Sequence, residues 1–274
     1  DVRAMPAFFT TLQRGTRFAE GSAPSFLRTH PLTSERIADV ANRVEQMSYR
    51  QVTDSIEFLY VRAKIRATVA TGNVQSVIDV FEQNIREHRY TNLAAEHYGL
   101  AVALLRKNDI PQAEKEVAWL LQEAPQHPMI ENLSARVQVA KNNPQQAAAQ
   151  YAAALRLFPD NRALIYGYAE HFLAIKQADN ALKVLKLKQG LYPDDAYLYD
   201  IMARAYTMQN KELLSHQAQG EAYYRKYDLA RAIEQIDLAV KAKDGDFYQK
   251  SIVEARLKQL RLMMGEEKKS SFWK

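Results

Sequence analysis

Apolar residues recur at helical spacing along most of the chain. Segment 92–107 places five residues on one helical face: Leu93, His97, Leu100, Ala101 and Leu104. Segments 111–124 and 144–158 repeat the pattern, each with a proline in its first turn, where the missing N–H is tolerated. Further helical segments follow at 164–175, 180–195 and 196–209. The pattern predicts an all-α chain of consecutive amphipathic helices.

These helices follow a regular repeat, which is marked by the evenly spaced Pro125, Pro159 and Pro193. Small residues stand 12 and 24 positions before each proline: Ala113, Ala147 and Ala181 in one column, Ala101, Ala135 and Ala169 in the other. A period of about 34 with small residues on both helices is the signature of tetratricopeptide repeats (TPRs). The small residues let the helices of one unit cross closely, and the proline ends the second helix. We therefore expect a TPR-type right-handed superhelix of antiparallel helix pairs.

The C-terminal end of the array departs from this register. Gly220 follows Ala203 by half a period, so we expect the helix around 211–226 to be shared by two units. A final helix over 247–263 is expected to cap the stack, because terminal units of repeat arrays differ from the consensus.

The N-terminal end is also irregular. Segments 55–73 and 74–88 predict a degenerate first helix pair joined at Gly72-Asn73. The chain then divides into three parts: residues 1–46, a TPR array over 47–265 with about five to six helix pairs, and a charged tail over 266–274.

TPR arrays present an extended binding surface, built mainly from the first helix of each unit. On the standard layout its exposed positions are Tyr98, Arg106, Asn132, Arg136, Tyr166, Glu170, Asp200 and Arg204. Tyrosine and arginine are frequent anchors at interfaces, so we expect a groove that binds a peptide or protein. Any single tyrosine can instead be a packing residue between helices. The Asn and Lys pattern of a carboxylate clamp is not evident, and Asn132 alone fits it.

Charge and composition argue against several other functions. The net charge is +5 with acids and bases interspersed, which favours a solvated surface over nucleic-acid binding. The chain has no cysteine, and its six histidines form no pair at metal-ligand spacing. It contains no phosphate-binding loop and no nucleophile elbow, so we expect no catalysis and no cofactor in this chain by itself. No apolar run reaches the ~18–20 residues that cross a bilayer. His127, in an inter-repeat turn, is expected in solvent.

The first residues differ from the repeats. They read DVRAMPAFFTTL over 1–12 and FLRTHPLTSERIAD over 26–39, where a His-Pro pair precedes a helix start. These motifs resemble the C-terminal end of the catalytic domain in HtpX-like and Oma-like zinc metallopeptidases. Followed by TPR units, they look like the BepA (YfgC) group of periplasmic proteases that maintain outer-membrane protein assembly. The resemblance covers residues 1–46 by motif and the remainder by domain order.

The resemblance implies roles for two residues. His30 matches a histidine that acts as an extra, inhibitory ligand of the catalytic zinc, and Arg36 matches an arginine that projects toward the catalytic cleft. The zinc and its His-Glu-x-x-His helix would belong to a parent enzyme, upstream of Asp1. The resemblance also implies a periplasmic location and, as partners, outer-membrane protein substrates or the assembly machinery.

A different interpretation remains open from the residues alone. The chain can be a stand-alone TPR adaptor in which residues 1–46 are a helical cap. His30 is then an ordinary loop residue, and Arg36 pairs with Glu35 or Asp39 in the first turn of its helix.

Overall fold

The computed structural model describes residues 4–16, 34–47, 53–69 and 73–271, and these ranges form helices and turns without a strand. The chain divides into two compact units, Asp1–Phe58 and Leu59–Lys274. In the first unit, α1 (Ala4–Thr16) contacts α2 (Ser34–Glu45). The second unit contains the predicted repeats.

Twelve helices follow α2 in the described residues. They are α3 (Ile56–Val69), α4 (Val74–Arg86), α5 (Leu93–Lys107), α6 (Ile110–Glu123), α7 (Pro128–Ala140), α8 (Pro144–Leu157), α9 (Arg162–Ala174), α10 (Ala178–Lys188), α11 (Ala196–Met208), α12 (Glu212–Arg225), α13 (Leu229–Lys241) and α14 (Phe247–Ser271). The expected final helix over 247–263 continues to Ser271, because Gly265 lies inside it without ending it. An interior glycine costs a helix only about 1 kcal/mol relative to alanine.

The central helices form the two layers of a TPR array. Each helix from α5 to α11 packs against the next, and α5, α7, α9 and α11 also contact one another as an inner layer. All six alanines of the two predicted columns have no exposed surface: Ala101, Ala113, Ala135, Ala147, Ala169 and Ala181. Side chains this small let neighbouring helices approach closely. The predicted fold class is therefore confirmed.

The turn inside each unit also repeats with the period of the array. Asn108, Asn142, Lys176 and Asn210, which recur once per repeat, adopt positive φ values between 57° and 66°. The next residue then donates back into the first helix, as the Asn143 N–H does to the Gln138 carbonyl at 3.0 Å. A left-handed residue at this place ends a helix and satisfies its last carbonyls, and asparagine tolerates the conformation well.

The change of register near the C-terminal end is confirmed. Helix α12 packs extensively against both α11 and α13, and it also contacts α14. It therefore acts as the second helix of one pair and the first helix of the next. Gly220 makes this close packing feasible, because a Cβ atom there would lie 2.7 Å from the Ile236 side chain.

The two helices predicted for the irregular N-terminal end are present as α3 and α4, and Gly72 of the predicted joint lies outside the described residues. Arg66 on α3 reaches the buried Glu96 of α5, with 2.8 Å between Nη1 and Oε1. The Arg66 guanidinium also lies 4.5 Å from the centre of the Phe81 ring on α4. One arginine thus links the first three helices of the array.

The expectation that His127 lies in solvent is wrong. The residue is only 9% exposed, and its ring packs 4.7 Å from that of Tyr60 on α3. The Nδ1 atom also accepts a hydrogen bond from the Met129 N–H and so caps the start of α7. An imidazole with both a capping acceptor and an aromatic neighbour is better placed in the fold than in water.

Candidate partner-binding groove

A groove runs along the inner layer of the second unit, and we call it the inner groove. Its wall on α7 contains Asn132, Arg136 and Val139, and α9 contributes Tyr166 and Glu170. Tyr197 of α11 lies on one side, and Lys64 of α3 lies on the other. The remaining lining residues are Tyr151, Ala163, Gly167, His171 and Ala174. The repeat therefore brings together side chains from five helices that are far apart in sequence.

Small residues shape the surface that α9 presents to the groove. Ala163, Gly167 and Ala174 lie on the same side of the helix, since they are separated by four and seven residues. Gly167 also leaves room for Tyr151, whose hydroxyl would lie 2.8 Å from a Cβ atom at this position. The Tyr151 ring therefore packs against the backbone of α9 and forms part of the groove floor.

The charges around the groove are not balanced. Glu170 has its own partners, because Arg204 Nη2 lies 3.0 Å from its Oε1 and the Tyr197 hydroxyl donates to the same oxygen. Lys64 and Arg136 are exposed, and neither has an ion-pair or hydrogen-bond partner for its side chain in the part of the chain that the structure describes. The groove thus retains two positive charges without an acid to neutralise them.

The charge of Arg136 affects the pKa of two buried tyrosines, Tyr98 and Tyr151. Burial raises the pKa of the Tyr98 and Tyr151 hydroxyls to about 12, and the positive charge of Arg136 opposes this rise at both of them. The carboxylate of Glu170 raises the pKa of Tyr151 further. The Tyr151 hydroxyl therefore lies within range of both charged groups, with the fold favouring its neutral form.

Several predicted groove residues mainly hold the helices together. The Asn132 amide donates to the Ala163 carbonyl at 3.0 Å, which joins α7 to α9, and Arg106 donates to the Ala67 carbonyl of α3 at 3.2 Å. Asp200 accepts from Lys226 at 2.5 Å and from Gln219 at 3.1 Å. All three side chains already have partners, and any role in binding must start from these contacts.

The expected exposure of Tyr98 and Tyr166 is wrong. Tyr98 is buried by an edge-to-face contact with Tyr60, whose ring centre lies 5.2 Å away. Tyr166 is buried against Tyr197 and donates its hydroxyl hydrogen to Asp195 at 2.8 Å. Burial, and then this hydrogen bond, raise the pKa of Tyr166. Both tyrosines pack between helices, as the alternative interpretation of single tyrosines foresaw.

The roles that the resemblance implies, a zinc ligand for His30 and a cleft residue for Arg36, stay predictions. His30 lies outside the described residues, and Arg36 is in α2, but its side chain lies outside them as well. In the described ranges, no group of three His, Asp or Glu side chains is arranged to hold a metal ion. Among the same residues, none of the helices has the length and apolarity of a membrane span.

Of the twelve described residues that line the groove, Asn132, Arg136, Tyr166 and Glu170 were predicted from the sequence as groove residues. Lys64 and Tyr197 are two of those that were not. Lys64 stands one period before Tyr98, so extending the column of Tyr98, Asn132 and Tyr166 upstream would have included it. The first helix pair, α3 and α4, lacks the proline column and one of the two alanine columns of the later units, so the repeat position of Lys64 was not recognised. Tyr197 occupies the same repeat position as Ala163, one period later, and both line the groove. Because Ala163 is a small apolar residue, this repeat position did not indicate a binding surface in the sequence.

The fold and groove define a TPR protein-interaction module, and comparisons with known proteins agree. A tetratricopeptide-repeat family model matches residues 138–205. The chain is 27% identical over 265 residues to the beta-barrel assembly-enhancing protease of Escherichia coli strain K12, covering 95% of this chain and 53% of that protein. The protein of the same name from Yersinia pestis is 26% identical over 262 residues, with the same coverage. The chain thus spans about half the length of these relatives.

Two of the solved structures that this chain matches share little sequence with it. MamA from Desulfovibrio magneticus has a TM-score of 0.44 at 16% identity, covering 63% of this chain and 96% of that one. YrrB, described as a TPR protein with an unusual peptide-binding site, has a TM-score of 0.44 at 14% identity, covering 66% and 91%.

Proposed function

We propose that this chain is the partner-binding TPR part of a periplasmic zinc metalloendopeptidase that acts in outer-membrane protein assembly and quality control. In this role the inner groove binds a protein, either a substrate or a component of the assembly machinery. The rest of the complete enzyme supplies the proteolytic chemistry.

The extent of the sequence similarity carries this proposal. TPR units occur in many unrelated proteins, so similarity in the repeats alone would support only a binding function. Here the similarity to proteases named for beta-barrel assembly extends over 95% of the chain. Only about 5% of the 274 residues lie outside the similar region, so the similarity includes most of residues 1–46 as well as the repeat units. The motifs in residues 1–46 point to the same class of protein.

Zinc belongs to the proposed enzyme rather than to the described part of this chain. The described residues include no cluster that fits a metal, so we assign no catalytic step to them. His30 remains a candidate regulatory ligand on the basis of its motif alone. A catalytic zinc site keeps one coordination position for water, and a histidine that occupied it would hold the enzyme inactive.

The complete gene product provides the test. It should contain an in-frame His-Glu-x-x-His motif upstream of this chain, and it should cleave an unfolded outer-membrane β-barrel protein. Cleavage should stop when zinc is chelated or when the glutamate of the motif is replaced by glutamine. The His30→Ala variant should raise basal cleavage, whereas His216→Ala, in the array, serves as the control and should not.

A different set of results would contradict the proposal. A start codon directly before this chain would make it a stand-alone TPR adaptor. The absence of chelator-sensitive cleavage by the complete gene product would contradict the zinc metalloendopeptidase activity. Unchanged cleavage and unchanged zinc affinity in His30→Ala would remove the regulatory role while leaving the protease assignment in place.

A further inference from the structure

We infer that the inner groove selects an extended, acidic segment of its partner, with aspartate or glutamate side chains bound by Lys64 and Arg136. The inference rests on the proposed partner-binding function and adds to it the chemistry of the partner. It depends on three features of the groove: its positive charge, the short side chains on the surface of α9, and the hydrogen bond that already engages the Asn132 amide.

The charge of the groove indicates that the ligand is negatively charged. Lys64 and Arg136 enter the groove from α3 and α7, and both lack an acidic partner among the described residues. Of the described residues that line the groove, Glu170 alone is acidic, and Arg204 neutralises it from the next inner helix. A ligand with carboxylates would find two available cations, whereas a basic ligand would find no available acid in this lining. Complementary charge of this kind sets which partners bind and how fast they associate.

The surface of α9 indicates an extended chain as the ligand. Ala163 and Ala174 are short, exposed side chains near the two ends of this surface, so a polypeptide backbone can approach α9 closely there. The Tyr151 ring fills the space at Gly167 and forms the floor between them. Val139 on α7 is 39% exposed, and Tyr197 on α11 is 43% exposed. The two side chains offer apolar contacts on the two sides of α9. The groove therefore suits alternating acidic and apolar side chains along an extended segment.

The Asn132 amide argues for acidic side chains over a chain-terminal carboxylate. A clamp for a terminal carboxylate needs donors that converge on one group, and Asn132 is the residue that matches such a clamp. Its amide already donates to the Ala163 carbonyl, and the two available cations lie on different helices. Without that donor, the two cations suit the carboxylate side chains of an acidic segment.

The inference can be tested with labelled synthetic peptides and the 274-residue chain. The main peptide is short, acetylated and amidated, and it carries several glutamates that alternate with leucine and serine. A second peptide has glutamine in place of every glutamate, and a third is the glutamine peptide with a free C-terminal carboxylate. Fluorescence anisotropy should show that the glutamate peptide binds about tenfold more tightly than both others, with an advantage that shrinks as salt is added.

Matched variants locate the binding site. Lys64→Gln and Arg136→Gln should each weaken binding of the glutamate peptide by about threefold, and together by about tenfold. Lys183→Gln on the outer helix α10 removes the same charge from an exposed position and should leave binding unchanged. Circular dichroism melting curves of all variants should match the wild type, since none of these side chains has a structural partner to lose among the described residues.

Equal binding of the glutamate and glutamine peptides would overturn the inference, as would equal losses in Lys64→Gln, Arg136→Gln and Lys183→Gln. Preferential binding of the peptide with the free C-terminus would replace it with a terminal-carboxylate site. Because the assay uses the chain itself, its outcome is independent of whether the complete protein is a protease.

Discussion

Arg204 on α11 lies one repeat after Glu170 on α9, and their side chains meet across the inner layer with Nη2 3.0 Å from Oε1. The same position in the preceding inner helix is Arg136, which has no acidic partner among the described residues. One column of the repeat therefore contains both an ion pair and an available cation. The available Arg136, together with Lys64 from another column, gives the groove its positive charge.

Breaking the pair between Glu170 and Arg204 should weaken peptide binding and change stability little. In Arg204→Gln, Glu170 loses its cation and becomes an unneutralised acid in the groove that also contains Arg136, so the affinity for an acidic peptide should fall about threefold. Both side chains are more than a third exposed, so the free energy of unfolding should change by less than ~1 kcal/mol. Anisotropy titrations and urea unfolding measure the two effects. Lys241→Gln, which removes the same charge from an ion pair outside the groove, is the control, and an equal effect on binding would contradict the account.

The buried carboxylate of Glu96 should be essential for the first helices of the array. It accepts from Arg66 at 2.8 Å and from Asn84 at 3.1 Å, which connects α3 and α4 to α5. Glu96→Ala should lower the free energy of unfolding by about 2–4 kcal/mol, because it leaves a partly buried arginine without its acid. Glu114→Ala breaks the exposed pair with Lys141 and should cost less than ~1 kcal/mol. Similar losses in the two variants, measured by urea unfolding, would contradict this role.

Gly99 is required by the close approach of α4 to α5. A Cβ atom there would clash with two atoms of the Phe81 ring, which is itself buried. Gly99→Ala should therefore destabilise the protein by about 1–3 kcal/mol, despite the higher helix propensity of alanine. Gly190, in the turn after α10, has no atom within 4 Å of the same position. Gly190→Ala should leave the melting temperature unchanged or slightly higher, and equal effects in the two variants would show that Phe81 moves aside freely.

High pH should unfold the array through its buried tyrosines. The pKa of Tyr98 and Tyr151 is about 12 in the folded chain, mainly because burial disfavours the charged form, and is near 10 when the chain is unfolded. The stabilisation is therefore complete below about pH 10 and is lost as the pH rises through 12, by roughly 2–3 kcal/mol for each tyrosine. Urea unfolding at pH 8 and at pH 11.5 measures this loss.

The tyrosine variants give the control for this pH effect. Tyr98→Phe and Tyr151→Phe should each reduce the difference between the two pH values, whereas Tyr227→Phe, at an almost fully exposed position, should not. Ultraviolet titration should show a group of tyrosines that ionises later than the exposed ones, with Tyr98, Tyr151 and Tyr166 among its members. Ionisation of all tyrosines near pH 10 in the folded protein would contradict the burial of these hydroxyls.

The repeat could be predicted because its determinants are local and periodic. The alanines and prolines set how closely adjacent helices cross and where each helix ends, and both effects depend on residue type at a fixed spacing. The shared helix around Gly220 could be predicted for the same reason, because this small residue follows Ala203 by half a period. Exposure within the inner layer depends instead on side chains from helices that are distant in sequence.

Tyr98 shows why the groove could only be predicted in part. It occupies the same repeat position as Asn132 and Asp200, yet Tyr60 from the irregular first pair covers its ring. His127 is buried by the same tyrosine, which no spacing rule within the regular units could indicate. Arg136, Glu170 and Arg204 were predicted as exposed groove residues. That Glu170 pairs with Arg204 and leaves Arg136 without an acid among the described residues could be seen only once the three inner helices were placed together.

The central claim is that partners bind in the inner groove, and site-specific photocrosslinking in cells tests it most directly. A photoreactive amino acid would replace Val139 in the groove of the complete protein, or Leu121 on the outer helix α6; both positions are partly exposed and apolar. The account predicts a crosslinked outer-membrane protein or assembly component at position 139, lost in the Arg136→Glu, Arg204→Glu variant, and none at position 121. Crosslinks at position 121 alone, or crosslinks at 139 that survive the double charge reversal, would contradict it.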